Sequence, residues 1–188
     1  MRKIIILLLL LAGPLCLILS AAAREQARLG EKLIRLRVVA ASDSADDQTR
    51  KLAVRDRLLA VVSAQDWQTR DEASAWLRDH LDALEAAGRE ALPDGEALTL
   101  TFGETRCPAR DYGSFALPAG DYLTLEARIG AGEGHNWWCV VYPTLCAVPS
   151  ASVPSAAADG GLTAGEIALI TQDTPAVKLR FRILDLLF

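Results

Sequence analysis

The chain has 188 residues, is 51% apolar and carries a formal net charge of −4. Ordinary glycine, proline and charge content excludes collagen-like, coiled-coil and disordered classes. Ile4 to Ala23 form one near-continuous apolar run, broken only by Gly13, Pro14 and Ser20. Setting residues 1–23 aside leaves a body with the apolar share of an ordinary soluble domain, so a polytopic membrane protein is also excluded.

Residues 1–23 read as a signal peptide or an N-terminal membrane anchor. Arg2 and Lys3 supply a positive start, and Ala21-Ala22-Ala23 offers a small-residue cleavage site. The run is equally long enough to span a bilayer uncut, which would give membrane contact through this segment. A lipoprotein reading through Cys16 is poor, because Leu15 stands where a small residue is wanted. By the positive-inside rule the body is expected outside the cytoplasm, exported in either case. Without Arg2 and Lys3 it holds 18 basic against 24 acidic residues. No Lys/Arg cluster stands out, so nucleic-acid binding has no electrostatic basis.

Leu33 to Ala41 alternates apolar residues with Arg35 and Arg37, a strand pattern. Ser42-Asp43-Ser44 ends it and caps a helix, with Ser44 and Asp47 at capping-box spacing. The spacing predicts a helix from about Ala45 to Ser63, burying Val54, Leu58, Val61 and Val62. A second amphipathic helix is expected from Thr69 to Ala91, with Ala73, Trp76, Leu77, Leu81, Leu84 and Ala87 on one face and His80 at the core edge. After the turn Leu92-Pro93-Asp94-Gly95 the period changes to two over Leu98–Phe102 and Leu123–Ile129, with a short strand between turns in Arg110–Gly120. The order implies an α+β domain: an N-terminal strand, then two amphipathic helices packed on one face of a mainly antiparallel sheet. Residues 24–147 form that domain, 148–176 read as an Ala/Ser/Pro-rich linker, and 177–188 as a strand or a helix.

The segment His135-Asn136-Trp137-Trp138-Cys139-Val140-Val141-Tyr142-Pro143-Thr144-Leu145-Cys146 is the densest in chemistry. Three readings compete. One is an aromatic loop closed by a Cys139–Cys146 disulfide, with Cys107 left over, as an odd cysteine count outside the cytoplasm implies. A loop this short adds about 2 kcal/mol. Another is an exported thiol hydrolase or peptidase acting at the cell wall with Cys139 as nucleophile, although His135 would lie about 13 Å away along an extended strand. The third is a zinc site from Cys107, His135, Cys139 and Cys146, whose spacing matches no Cys-x₂-Cys knuckle. Asp43, Asp46 and Asp47 lack the glycine and distant glutamate of a calcium loop, and helix capping explains them. A wall-associated structural protein stays open as well. No catalytic constellation, cofactor motif or metal motif stands out.

The residues also carry a family resemblance. Leu36-Arg37-Val38-Val39-Ala40-Ala41-Ser42-Asp43-Ser44, Asp47-Gln48 and Lys51-Leu52-Ala53-Val54-Arg55-Asp56 resemble the opening block of the stage II sporulation protein R family. Tyr112-Gly113 and Leu117-Pro118-Ala119-Gly120-Asp121-Tyr122 resemble its middle block, and His135 to Cys146 its most distinctive one. The resemblance implies an exported signalling ligand, not an enzyme. Such a ligand is made in the forespore and acts in the space between forespore and mother cell. There it activates a membrane-embedded aspartic protease of the mother cell, which processes a sporulation sigma factor precursor. Exposed aromatics are the usual centre of an interface, so His135, Asn136, Trp137 and Trp138 are nominated to touch that protease, with Asp43 and Arg55 next. Ala41, Cys107 and the stretch Val148–Gly161 depart from the family pattern.

Overall fold

The computed structural model describes Arg24 and residues 26–171. The export segment at 1–23, the end of the expected linker and the strand or helix at 177–188 lie outside the described residues. After helical residues 26–30 the elements are β1 (Ile34–Val39), α1 (Ala45–Val62), α2 (Arg70–Asp79), α3 (Leu81–Arg89), β2 (Leu98–Cys107), β3 (Arg110–Asp111), β4 (Ala116–Leu117), β5 (Gly120–Ile129), β6 (Asn136–Tyr142), α4 (Val153–Asp159) and α5 (Ala164–Thr171).

Four strands form one sheet in the order β2-β5-β1-β6. β2 and β6 pair antiparallel with their neighbours, while β1 and β5 run parallel at the centre, Ile34 opposite Leu123 and Val39 opposite Arg128. The sheet is therefore mostly antiparallel, as expected, around one parallel pair. That pair needs a long crossover, which α1, α2 and α3 supply. As a central strand β1 is covered on both faces, and this is why its sequence is nearly unbroken apolar.

Ser44 caps α1, accepting the Asp47 backbone N–H at 3.2 Å. The box is not reciprocal there: the Asp47 carboxylate takes the Ser42 hydroxyl at 2.5 Å, while the Ser44 N–H goes to that same hydroxyl oxygen at 3.1 Å. A reciprocal capping box does form at Thr69 and Glu72, starting α2. The single helix expected over Thr69–Ala91 is two, broken at His80. Its imidazole Nδ1 lies 2.8 Å from the Trp76 carbonyl and its ring stacks on the Trp76 ring at 4.2 Å. His80 is exposed, so its place is a corner of the chain and not the edge of the core.

Val54, Leu58 and Val62 of α1, Ala73 and Leu77 of α2 and Leu84 of α3 pack with Ile34, Leu36, Val38, Leu100, Leu125 and Val141 on one face of the sheet. The opposite face is also covered. Leu29 and Leu33, Phe115 and Leu117 of the β3–β4 hairpin, Val153 and Ala157 of α4, and Ile170 of α5 surround Tyr122, Trp138 and Val140. The expectation of a linker after residue 148 is thereby corrected over its described part. Val153 and Ala157 are fully buried, and Lys32 bridges to Glu166 at 2.7 Å while donating to the Gly161 carbonyl at 3.1 Å. Small residues let a short helix lie flat on a sheet, and in sequence that composition looks the same as a flexible linker.

Candidate functional site

The loop after β1 and the loop between β5 and β6 meet at one end of the sheet. Glu133 N–H donates to the Ala41 carbonyl at 3.2 Å and Gly134 N–H to the Ala40 carbonyl at 3.0 Å, so the second loop is laced onto the end of β1. Glycine is required at 134 for space: a Cβ would fall on the Ser42 carbonyl. This close approach carries His135 over the start of α1. Its backbone N–H donates to Asp43 Oδ1 at 2.6 Å, and its ring Nδ1 lies 2.5 Å from the same oxygen. The His135 N–H, and then its ring, hold the Asp43 carboxyl below the usual carboxylate range. Both side chains remain exposed, at 80% for His135 and 56% for Asp43.

Beneath this pair lies Lys51, only 6% exposed. Its ammonium donates to Gln48 Oε1 at 2.5 Å and to the His135 carbonyl at 3.1 Å, and burial pulls its pKa down. Gln48 Nε2 donates in turn to the Ser42 carbonyl at 2.9 Å. The lysine thus ties the first turns of α1 to the β5–β6 loop, while Asp43 does so from above. One turn along the helix, the Arg55 guanidinium lies 5.0 Å from the centroid of the Trp137 ring, which is half-buried. Arg55 also bridges to Asp56 at 2.7 Å.

The six nominated residues divide between two faces because neighbours on a strand point opposite ways. Asp43 and His135 form an exposed pair beside the start of α1, and the half-buried Arg55 and Trp137 stack on each other one turn along it. Asn136 and Trp138 face the other way. With its amide oxygen turned to Arg37, Asn136 accepts from Nε at 3.3 Å and Nη2 at 3.1 Å. Trp138 is 6% exposed inside the second core, with the guanidinium groups of Arg35, Arg37 and Arg110 at 4.7, 5.2 and 5.9 Å from its ring. It is a packing residue here and no part of that cluster. Lys51, Gln48 and Gly134 complete the cluster and were not singled out in sequence as site residues. Lys51 sits at the apolar-face spacing of α1 with Val54 and Leu58, a visible signal that this lysine points inward.

The structure does not show the expected Cys139–Cys146 loop closure. Cys107, Cys139 and Cys146 are free thiols in this structure. Cys139 and Cys146 are nevertheless neighbours, the Cys146 sulfur lying 3.1 Å from the Val140 backbone nitrogen, so they are placed together as expected without a bond between them. Cys139 is 1% exposed among the residues of the first core, and burial pushes its thiol far up. With His135 engaged by Asp43, the Cys139 nucleophile of the hydrolase reading has neither access nor a base. Among the described residues no group of three or more His, Cys, Asp or Glu side chains gathers to hold a metal, so the four zinc ligands imagined from sequence do not converge. No helix among the described residues is long and apolar enough to cross a membrane. An open cleft of about 520 Å³, with mixed charge from Glu31, Arg70, Arg78, Glu104, Arg106 and Asp121, lies at the opposite end of β1 from His135.

The profile of the family described as stage II sporulation protein R matches residues 30–152. Stage II sporulation protein R of Bacillus subtilis (strain 168) is 31% identical over 163 residues, spanning 78% of this chain and 71% of that relative. The chain belongs to the stage II sporulation protein R family. No solved structure matches it. The family segment begins at residue 30, ahead of β1, and runs through the whole sheet, so it contains Asp43, Arg55, His135 and Trp137 as well as both neighbouring thiols. Membership assigns the protein a role in sporulation. All of α4 and α5 lie beyond the matched segment, although they complete the second core.

Proposed function

We propose that the protein is an exported sporulation signal. In this reading it crosses from the forespore into the space between forespore and mother cell and docks on a membrane-embedded aspartic protease of the mother cell. Docking switches the protease on, and a sporulation sigma factor precursor is processed. Family membership across residues 30–152 carries the reading. The cluster of Asp43, His135, Arg55 and Trp137 supports it: an aromatic and a guanidinium stacked on each other beside an exposed, hydrogen-bonded Asp–His pair have the composition of an interface centre. The cluster is also preorganised, because Lys51 and the laced loops hold it before any partner arrives, which lowers the ordering cost of binding.

The test is reconstitution in a non-sporulating host with three components: this chain, the protease and the sigma factor precursor. Shortened sigma factor is expected only when all three are present and this chain is exported. The reading fails if the precursor stays intact with all three produced, or if it is shortened equally without this chain. Arg55→Ala and Trp137→Ala are expected to reduce processing at unchanged levels of folded protein.

A further inference from the structure

The two neighbouring thiols are unequal. The Cys146 sulfur accepts the Val140 backbone N–H at 3.1 Å, which places it against the peptide that follows Cys139. A backbone donor is therefore aimed at this sulfur. The buried Arg35 guanidinium adds positive potential there; it donates to the Pro108 carbonyl at 3.3 Å and the Tyr112 hydroxyl at 3.0 Å and has no carboxylate partner among the described residues. Such surroundings favour a thiolate. Cys146 is also half-buried, so one side of it reaches the surface. Cys139 differs on both counts, being 1% exposed and having its sulfur 3.4 Å from the Val140 carbonyl, an acceptor that keeps the proton on. Cys107 is fully buried and hydrogen-bonded with Thr124 Oγ1 at 3.5 Å. Among the three described cysteines only Cys146 combines partial exposure of the residue with a backbone N–H aimed at its sulfur.

We propose that Cys146 and Cys139 form a thiol–disulfide exchange site for small organic disulfides, with Cys146 as the attacking sulfur and Cys139 as the resolving one. The Cys146 thiolate attacks one sulfur of the incoming disulfide; a Cys146–S–S–R bond forms, the disulfide bond breaks and RS⁻ leaves. The Cys139 thiol gives its proton to that RS⁻, and its own sulfur then attacks Cys146. The Cys139–Cys146 bond forms as the second RS⁻ departs and takes a proton from water. Two protein thiols are oxidised and one small disulfide is reduced to two thiols. The product bridge spans Val140 to Leu145 and fastens β6 to the chain entering the second core, directly after Trp137 and Trp138. This chemistry does not depend on the signalling reading.

The experiment uses the full chain in detergent with Cys16→Ala, so that the signal comes from the three described cysteines. Glutathione disulfide is the probe, with acid quenching and peptide mass mapping. The parent protein is expected to form the Cys139–Cys146 bridge, Cys139→Ala to stop at a glutathione adduct on Cys146, and Cys146→Ala to form neither. In a parallel measurement needing no further substitution, brief iodoacetamide treatment of the folded protein is expected to label Cys146 about tenfold faster or more than Cys107 or Cys139. Equal labelling of the three overturns the proposal, even if a variant fails to fold. So does an adduct on Cys139 in Cys146→Ala at a rate matching that on Cys146 in Cys139→Ala, or a parent protein that acquires neither bridge nor adduct.

Discussion

Replacing Gly134 with alanine should separate the two loops that build the exposed patch. A Cβ at this position would fall on the backbone carbonyl of Ser42 and come 3.0 Å from the Ala40 Cβ. A backbone carbonyl cannot swing aside as a flexible side chain can, so the loop must lift. Lifting strains or breaks the Glu133 N–H bond to Ala41 (3.2 Å) and the Gly134 N–H bond to Ala40 (3.0 Å). At about 1 kcal/mol each these cost about 2 kcal/mol, which lowers Tm by about 4–8 °C in a domain of this size. The Asp43–His135 contact is lost with them. Gly103 in the edge strand β2 is the matched control, since an added Cβ there meets nothing within 4 Å. Gly103→Ala should stabilise by about 0.4–1 kcal/mol by restricting the unfolded chain. Urea titrations followed by tryptophan fluorescence measure both, with the denaturant slope unchanged. If Gly134→Ala unfolds within about 0.5 kcal/mol of the parent, the close approach does not hold the loops together.

Asp43→Asn should flatten the acid limb of stability. The Asp43 carboxyl is held below its ordinary value in the fold, so its contribution is present above about pH 4 and disappears as pH falls through the lowered folded value; urea midpoints from pH 5 down to pH 2 show whether the parent falls more steeply than the variant. The two adjacent tryptophans should separate stability from signalling. Trp138→Ala removes a 6%-exposed ring from the second core and should cost about 3–5 kcal/mol in a urea titration, while Trp137→Ala should cost far less and yet reduce sigma factor processing more per folded molecule. Val153→Asp places a charge where the chain is fully buried, and an unfolding cost of about 3 kcal/mol or more is expected; a cost near zero would mean that α4 does not cover the sheet.

Period and capping chemistry made the elements legible in the sequence. Ser44 and the three-to-four-residue recurrence of Val54, Leu58 and Val62 placed α1 within a residue of its ends, and alternation placed β2 and β5. The break at His80 was not legible, because the apolar stripe continues through it and the non-helical backbone of His80, whose ring stacks on Trp76, has no mark in the residue pattern. The patch was partly legible. The aromatic cluster and the Asp43 loop were conspicuous, but their meeting depends on contacts 92 residues apart in sequence.

Residue order by itself determined the α+β class, the apolar N-terminal run and the family, since each rests on local pattern or on motifs read in line. Tertiary structure alone decided that β1 and β5 pair in parallel, because pairing is chosen by which edges are free once the helices have crossed the sheet. It decided that Trp137 is presented and Trp138 enclosed: alternation shows that neighbours differ, but what covers each face comes from elsewhere in the chain. It also decided that the small-residue stretch after Val148 is packed, because burial depends on the surface a helix finds, and here that surface is the back of the sheet.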